Sequence, residues 1–478
     1  MADAGFKVWL LQGCALVLSA LSTITLAQPL PDPVQRVITG HKLPPSTYSL
    51  YVREIGQPEP VLSINQDLPL NPASTIKTLT TLAGLEVLGP TYQWRTQAYA
   101  LGPVNDGVLD GDLLIKGGGD PFLVEENLRS LLKNLRLRGI QRIAGDLVID
   151  ASVFDESVST EALIDNDTRR AYNVLPHAMM VNFQTVSFHF QPHSNGREVI
   201  VQADPALPNL HIRNQLRQQN GNCTGFQRGI RFDINDAGNE VTFSGNFPSG
   251  CEQYTLVRSV LDTPSYAYGL FHVLWKELGG EIDGELRVET LADTTTTALL
   301  THESPVLADV IKSINKFSNN MMTRHLLLQM GLEKYGAPAT VAKGIDAVHD
   351  YLDLLGINRS ALVMVNGSGL SRDARVTSSL LADVLERGWQ IQTMPEFVAS
   401  LPLSGLDGTL RSRLQADGPR GSMHVKTGSL DDVAAVAGYV HARSGKHYVV
   451  IAILNHPSAD AGPGQELSDA LLNWAWSL

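Results

Sequence analysis

Cysteine is scarce in this chain: three occur among 478 residues, and only Cys223 and Cys251 lie beyond position 27. No cysteine or histidine spacing suits zinc and no His-Glu-x-x-His segment occurs, so no metal site is expected. A phosphate-cradling loop is missing as well. Gly117-Gly118-Gly119-Asp120 lacks the Lys-Ser/Thr that would follow in such a loop, and it reads as a turn. No cofactor is therefore expected. Basic charge is in deficit, with 37 Lys and Arg against 49 Asp and Glu, a net charge of -12 with His neutral. That balance excludes nucleic acid as a partner, because no cationic excess remains to neutralise phosphates. It also gives no reason to expect docking on an anionic membrane. Long apolar runs are confined to the N-terminus; the C-terminal helix expected over about 464–476 has none of membrane length.

What is present describes a globular protein, 43% hydrophobic and 18% charged, long enough for two or three domains. Lys7 precedes an apolar stretch, 8–26, broken at Gln12 and Gly13, and Thr25-Leu26-Ala27 supplies small residues for cleavage. Residues 1–27 are read as a signal peptide cleaved after Ala27, with an uncleaved anchor as the alternative. The apolar residues ahead of Cys14 are too few for a lipoprotein signal, so Cys14 is ordinary signal sequence. Cleavage removes one Asp and one Lys and leaves the charge at -12. In an exported chain the two remaining cysteines, Cys223 and Cys251, are expected to form a disulfide rather than two buried thiols. Residues 28–33 read as an extended leader.

Further along, strands are expected over about 47–53 and 60–64, then a helix over 72–88. Asn71 would cap that helix, Pro72 would suit its first position, and Ile76, Leu79, Ala83 and Val87 would form its apolar face. From about 93 to 289 the texture changes to short strands with Gly, Asn and Asp turns. Residues 130–150 and 269–289 form a weak repeat of helix, glycine, strand, and the two copies are expected to pair, with about 160–250 inserted between them. Helices return after 291. One starts at Ser304-Pro305 and carries Leu307, Val310, Ile311 and Ile314; the next spans about 320–330 and stops at Gly331. Antiparallel strands over 422–427, 433–442 and 446–454 follow, with Ser444-Gly445 turning the last pair.

Three short motifs occur in order. Ser74-Thr75-Ile76-Lys77 puts an amine one helical turn from a hydroxyl, and a hydroxyl becomes a nucleophile when a base takes its proton. The first turn of a helix also offers unpaired N–H groups to an oxyanion. Alone, Ser-x-x-Lys arises by chance about once in such a chain, and a capped helix with a solvated lysine explains it equally well. Ser318-Asn319-Asn320 falls at a break between two helices, where side chains face a cleft; plain capping by Ser318 or Asn319 is the competing explanation. Lys426-Thr427-Gly428, followed by Ser429, ends a strand that could pair with an extended peptide and bind its carboxylate, or could simply enter a turn. Together and in this order the three are a strong signal.

With these motifs the chain resembles the class C low-molecular-mass penicillin-binding proteins, the D-alanyl-D-alanine carboxypeptidase/endopeptidases. Ser74 and Ser318 lie 244 residues apart, more than a compact β-lactamase uses, and this family is similar in carrying extra domains there. Gly367-Ser368-Gly369-Leu370-Ser371-Arg372 and residues 402–410 also look like its signatures, while Asn319 stands where Asp is commoner. The resemblance implies an α+β fold: a penicillin-binding/serine β-lactamase-like transpeptidase domain, antiparallel sheet with helices, carrying a large strand-rich nested insertion. The expected boundaries are 28–92 and 291–478 for the catalytic domain, 93–160 and 251–290 for an inserted α/β domain, and 161–250 for the nested insert. By resemblance Ser74 is the nucleophile, neutral Lys77 its base, Ser318 the proton relay and Asn320 the group that orients Lys77 and substrate. Lys426 and Thr427 would hold a carboxylate, Gly428 would allow close approach, and the N–H groups of Ser74 and Ser429 would form the oxyanion hole. Asp167 and Arg372 would read the charged side chain of the stem peptide, with a solvated charged turn over 165–170 as the alternative for Asp167. The implied partners are peptidoglycan stem peptides and, as inhibitors, β-lactams, with the mature protein in the periplasm. A serine β-lactamase or esterase on the same fold is the nearest alternative, although no Glu-x-x-x-Asn segment lies between Asn320 and Lys426. A non-catalytic wall-binding scaffold is the alternative of a different kind.

Overall fold

The structure, a computed structural model, describes residues 29–159, 164–225, 229–291 and 297–478. The signal sequence read in 1–27 lies outside the described residues. One body is built on a five-stranded antiparallel sheet whose order is Met423–Leu430, Val433–His441, His447–Asn455, Tyr48–Glu54, Leu62–Ile64. Along the central strands nearly every residue is buried, because both faces of the sheet are covered. The two-residue period divides them. Ala435, Ala437, Tyr439, Val449, Ile451 and Ile453 face the main helical layer. Their neighbours Val436, Val440, Val450, Ala452 and Leu454 face the terminal helices Asp32–Gly40 and Pro463–Ser477.

The first of those terminal helices corrects the extended-leader reading of 28–33. Asp32 already begins a helix, since proline is tolerated in a first turn, and Val34 and Ile38 lie one turn apart in the core.

The centre of the helical layer is Lys77–Leu88, packed by helices Leu307–Phe317, Asn320–Tyr335, Val341–Leu354 and Ser378–Gln390. It is buried on nearly every side rather than on one face. Its threonines fit because each hydroxyl is bonded to backbone: Thr78 to the Thr75 carbonyl at 2.8 Å, Thr80 to Gly367 at 2.7 Å and Thr81 to Lys77 at 2.7 Å. A second correction concerns Gly331, which does not end its helix; the helix runs on to Tyr335. A Cβ at Gly331 would stand 2.6 Å from the Gly344 nitrogen, so this glycine lets two helices cross closely.

The other body is inserted between Trp94 and Ser304. The two crossing segments are zipped together: Trp94 N–H donates to Ser304 Oγ and Ser304 N–H to the Trp94 carbonyl, both at 3.0 Å. A five-stranded mixed sheet, ordered Leu286–Val288, Leu147–Asp150, Asp112–Lys116, Arg95–Leu101, Leu300–Glu303, packs with helices Glu125–Leu137 and Thr263–Glu277. The repeat copies do pair, Leu147–Asp150 parallel to Leu286–Val288 and Arg142–Ile143 parallel to Glu281–Ile282. Two three-stranded sheets follow from the strand-rich stretch. One of them includes Tyr254–Arg258, so it extends past residue 250. A single apolar cluster joins the two parts, with Phe188, Phe190, Phe243 and Phe247 beside Phe271 and Trp275. Cys223 and Cys251 form a disulfide, with Cys251 buried in this cluster.

Gly117–Gly119 is not an exposed turn either. Gly117 and Gly119 donate to the carbonyls of Asp150 and Ala178, and a Cβ on Gly118 would meet the Arg95 carbonyl at 2.0 Å. Among the described residues no helix is long and apolar enough to cross a membrane.

Candidate active site

Asn71 turns the chain into the site. Its side-chain oxygen accepts from Ala73 N–H at 2.9 Å, and its own backbone is clamped by Asn455. Ala73 adopts a left-handed φ of 44°. Ser74 then sits on a tight 3₁₀ turn, Ala73–Ile76, ahead of the α-helix proper. A helix starting at Pro72 was the expectation; the tighter turn lifts Ser74 to the cleft while Lys77 goes inward. Lys77 is fully buried, and its Nζ lies 2.8 Å from Ser74 Oγ, 2.7 Å from Asn320 Oδ1 and 2.5 Å from the Ser368 carbonyl. Burial first, then the Lys426 and Arg324 cations, hold its pKa well below the usual lysine range. A neutral amine has two N–H bonds and one lone pair. The Asn320 and Ser368 oxygens can only accept, so they take the two N–H bonds and leave the lone pair for the Ser74 hydroxyl.

Ser318 occupies the break between Leu307–Phe317 and Asn320–Tyr335, in a left-handed conformation with φ 56°. Asn319 caps the second helix by accepting from Met322 N–H at 3.0 Å. Capping and cleft geometry thus share one motif: the middle residue is structural and the outer two face the site. Asn320 Nδ2 donates to the Tyr172 carbonyl at 3.3 Å, which fixes the amide so that its oxygen meets Lys77.

Met423–Leu430 is an edge strand. Its Lys426 is fully buried, 2.9 Å from Ser318 Oγ, and burial lowers its pKa to about 7. Thr427 Oγ1 pairs with Thr409 Oγ1 at 2.7 Å, which accounts for the neighbouring 402–410 segment. At Gly428 a Cβ would stand 2.7 Å from the Pro72 carbonyl and 2.9 Å from the Ser74 nitrogen. Only glycine lets this strand lie against the nucleophile turn.

The resulting cleft, about 370 Å³, is lined by Ser74, Tyr172, Ser318, Asn320, Arg372 and Ser429, with Asp165 and Asp431 at its rim. Arg372 bonds both the carbonyl and the carboxylate of Asp431, at 2.7 and 2.8 Å. Asp167 is not part of the wall; its carboxylate is engaged by Arg169 and Arg170. Two residues earlier, Asp165 lines the cleft and accepts from Tyr172 and Asn173. Sequence reasoning also missed the carbonyls of Ser368 and Tyr172. Gly367 and Gly369 signal the first of these, because their positive φ values, 69° and 77°, turn the Ser368 carbonyl onto Lys77. Among the described residues no cluster suited to a metal ion occurs.

A hydroxyl and a buried amine poised over one proton, beside an open sheet edge, define a serine hydrolase of penicillin-binding type. The family model described as the D-Ala-D-Ala carboxypeptidase 3 (S13) family matches residues 31–477, and the chain belongs to that family. It is 27% identical over 417 residues to D-alanyl-D-alanine carboxypeptidase DacB of Haemophilus influenzae, covering 87% of this chain and 86% of the relative. It is 29% identical over 412 residues to the D-alanyl-D-alanine carboxypeptidase of an Actinomadura species, covering 82% and 74%. The crystal structure of penicillin binding protein 4 from Haemophilus influenzae superposes with a TM-score of 0.80 at 25% identity, covering 94% of this chain and all of that one. The protein is a low-molecular-mass penicillin-binding protein and a serine D-alanyl-D-alanine carboxypeptidase.

Proposed function

We propose that Ser74 carries the acyl-enzyme through which this protein hydrolyses D-alanyl bonds of peptidoglycan stem peptides in the periplasm. The observation that carries this reading is the placement of Lys77 Nζ between one hydroxyl and two obligate acceptors. Lys77 takes the Ser74 proton as Oγ bonds to the D-alanyl carbonyl carbon, and the oxyanion is held by the N–H groups of Ser74 and Ser429. The C–N bond breaks as Ser318 passes a proton to the leaving amine, with Lys426 beside it to replenish that proton. Water then attacks the ester, releasing the shortened peptide as a carboxylate and restoring Ser74. The peptide would extend the sheet at the edge strand, with Lys426 and Thr427 on its terminal carboxylate and Asn320 on its backbone. A terminal D-alanine and a crosslinked neighbouring stem differ only in what is attached to the leaving amine, so one mechanism serves trimming and crosslink cleavage. A β-lactam opens onto Ser74 with its leaving amine still tethered, which is why the adduct persists. Arg372, with an acidic residue of the 165–167 turn, reads the charged stem side chain; Asp165 is the better placed acid, and Asp167 orders the arginines behind it.

The test is covalent labelling. Mass analysis of penicillin-treated protein should find one adduct on the peptide containing Ser74, and Ser74→Ala should lose both label and hydrolysis. An adduct at another residue in Ser74→Ala sinks the assignment.

A further inference from the structure

Beside the reactive cleft lies a second one of about 580 Å³, within the range of small-ligand sites. One of its walls is formed by residues 173–177 with Thr168, the continuation of the loop whose Asp165 and Tyr172 line the reactive cleft. The facing wall, from the same inserted stretch, is formed by Gln184, Ser259 and the start of the Thr263–Glu277 helix. Asn173 is the partition. It is 1% exposed, and its Nδ2 donates to the Asp165 carboxylate and to the Asp167 carbonyl. Its Oδ1 has no hydrogen-bond partner among the described residues. A buried acceptor left in that state costs about 1–3 kcal/mol; the atom is enclosed, so a donor from the second cleft would recover that cost by displacing the Asn173 side chain slightly.

The lining selects the chemistry of the ligand. Thr168 and Ser259 present hydroxyls, Val174 and Pro176 present apolar surface, and no lysine or arginine lines the cleft. Thr263 Oγ1 donates to Gln184 Oε1 at 2.9 Å and Gln184 Nε2 to the Leu261 carbonyl at 2.6 Å, so these two offer only their remaining lone pairs and one N–H. The Asp262 carboxylate is already occupied by the backbone and hydroxyl of Ser265, at 2.8 and 2.9 Å. His177 is held neutral by burial, with its pKa lowered to about 4, and its Nδ1 accepts from Met179 N–H at 3.1 Å, which puts its proton on Nε2. Neutral donors and acceptors around an apolar face, with no cation, disfavour phosphate or carboxylate and suit an uncharged carbohydrate. An N-acetyl group would bring the N–H donor that Asn173 lacks.

We propose that this second cleft binds an N-acetylated saccharide of the wall glycan and holds it beside the stem peptide being cut. The activity part of the proposal rests on the reading of the Ser74 cleft given above; the binding part does not. The probe is chitotetraose, an uncharged N-acetylglucosamine oligomer, titrated calorimetrically into protein acylated on Ser74 by a penicillin so that the reactive cleft is filled. Binding is expected, and Thr168→Trp, an exposed position at the mouth, should weaken it at least tenfold. Penicillin labelling of the variant reports that it is folded. The same variant should lose at least tenfold in kcat/KM on glycan-bearing crosslinked wall relative to glycan-free crosslinked peptide. No binding by the acylated wild type, or equal binding by Thr168→Trp, overturns the glycan site. Should penicillin fail to label Ser74, the reading of the reactive cleft fails instead, and the sugar titration on unacylated protein still decides the subsite.

Discussion

The two bodies of this protein are buried in different ways. The inserted body encloses a largely apolar interior in which Phe188, Phe190 and Phe243 meet edge to face, with centroids 4.9 and 5.0 Å apart. Around the reactive serine, the catalytic body instead buries two lysines, several threonines and an asparagine. Apolar burial stabilises without direction, whereas a buried amine is tolerated only when acceptors surround it. The inserted body is therefore organised for stability, and the catalytic body spends part of its own on a site in which lysine loses its charge.

That contrast can be broken or sharpened by substitution. Phe243→Ala should destabilise the inserted body by about 3–5 kcal/mol, read as an early thermal transition, while penicillin labelling of Ser74 persists; a parallel loss of labelling would mean that the bodies unfold as one. Replacing Cys223 and Cys251 by serine should remove about 3 kcal/mol from the same transition, and an unmoved transition would assign the disulfide no part in it. Gly428→Ala should reverse the pattern. The inserted body's transition would stay in place, but penicillin acylation should fall about a hundredfold, about 2.7 kcal/mol of transition-state stabilisation, because the new Cβ meets the backbone of the turn that carries Ser74. Lys426→Met should move the acid limb of the acylation–pH profile to higher pH. Removing that cation lets the Lys77 pKa rise, so the rate loss should be larger at pH 6 than at pH 9.

A further test concerns Asp120, a buried carboxyl of the inserted body. Burial raises Asp120 to about 7, above its unfolded value, so the stability its neutral form permits is fully present in acid and lost as pH rises through 7. Asp120→Asn should retain the bond that Phe122 N–H donates and gain up to about 4 kcal/mol at pH 8 but little at pH 4, by thermal melting.

Much of the catalytic body was legible because its elements are long and periodic: Val310, Ile311 and Ile314 mark a helix, and the last two strands are almost uninterrupted apolar runs. The three motifs were legible because side chains carry them. What escaped is carried by backbone or by long-range packing. The Ser368 and Tyr172 carbonyls have no residue type to announce them. Gly331 looked like a stop because the helix crossing it permits lies outside its own segment. Asp165 and Asp167 have identical side chains two positions apart, and only Arg169 and Arg170, by claiming one of them, tell them apart.

The zipped crossing at Trp94 and Ser304 has a consequence for how the chain reaches its native state. The catalytic sheet must join strand Tyr48–Glu54 to His447–Asn455, a closure across nearly the whole chain. Loop-closure entropy grows with the logarithm of loop length, and a slack inserted body, which roughly doubles this loop, would add about 0.6 kcal/mol. Once that body folds, its two ends are already a hydrogen bond apart, and the catalytic halves meet as though the intervening chain were a short turn. The expected order of events is therefore that the inserted body, apolar within and stapled, condenses ahead of the sheet that carries the nucleophile.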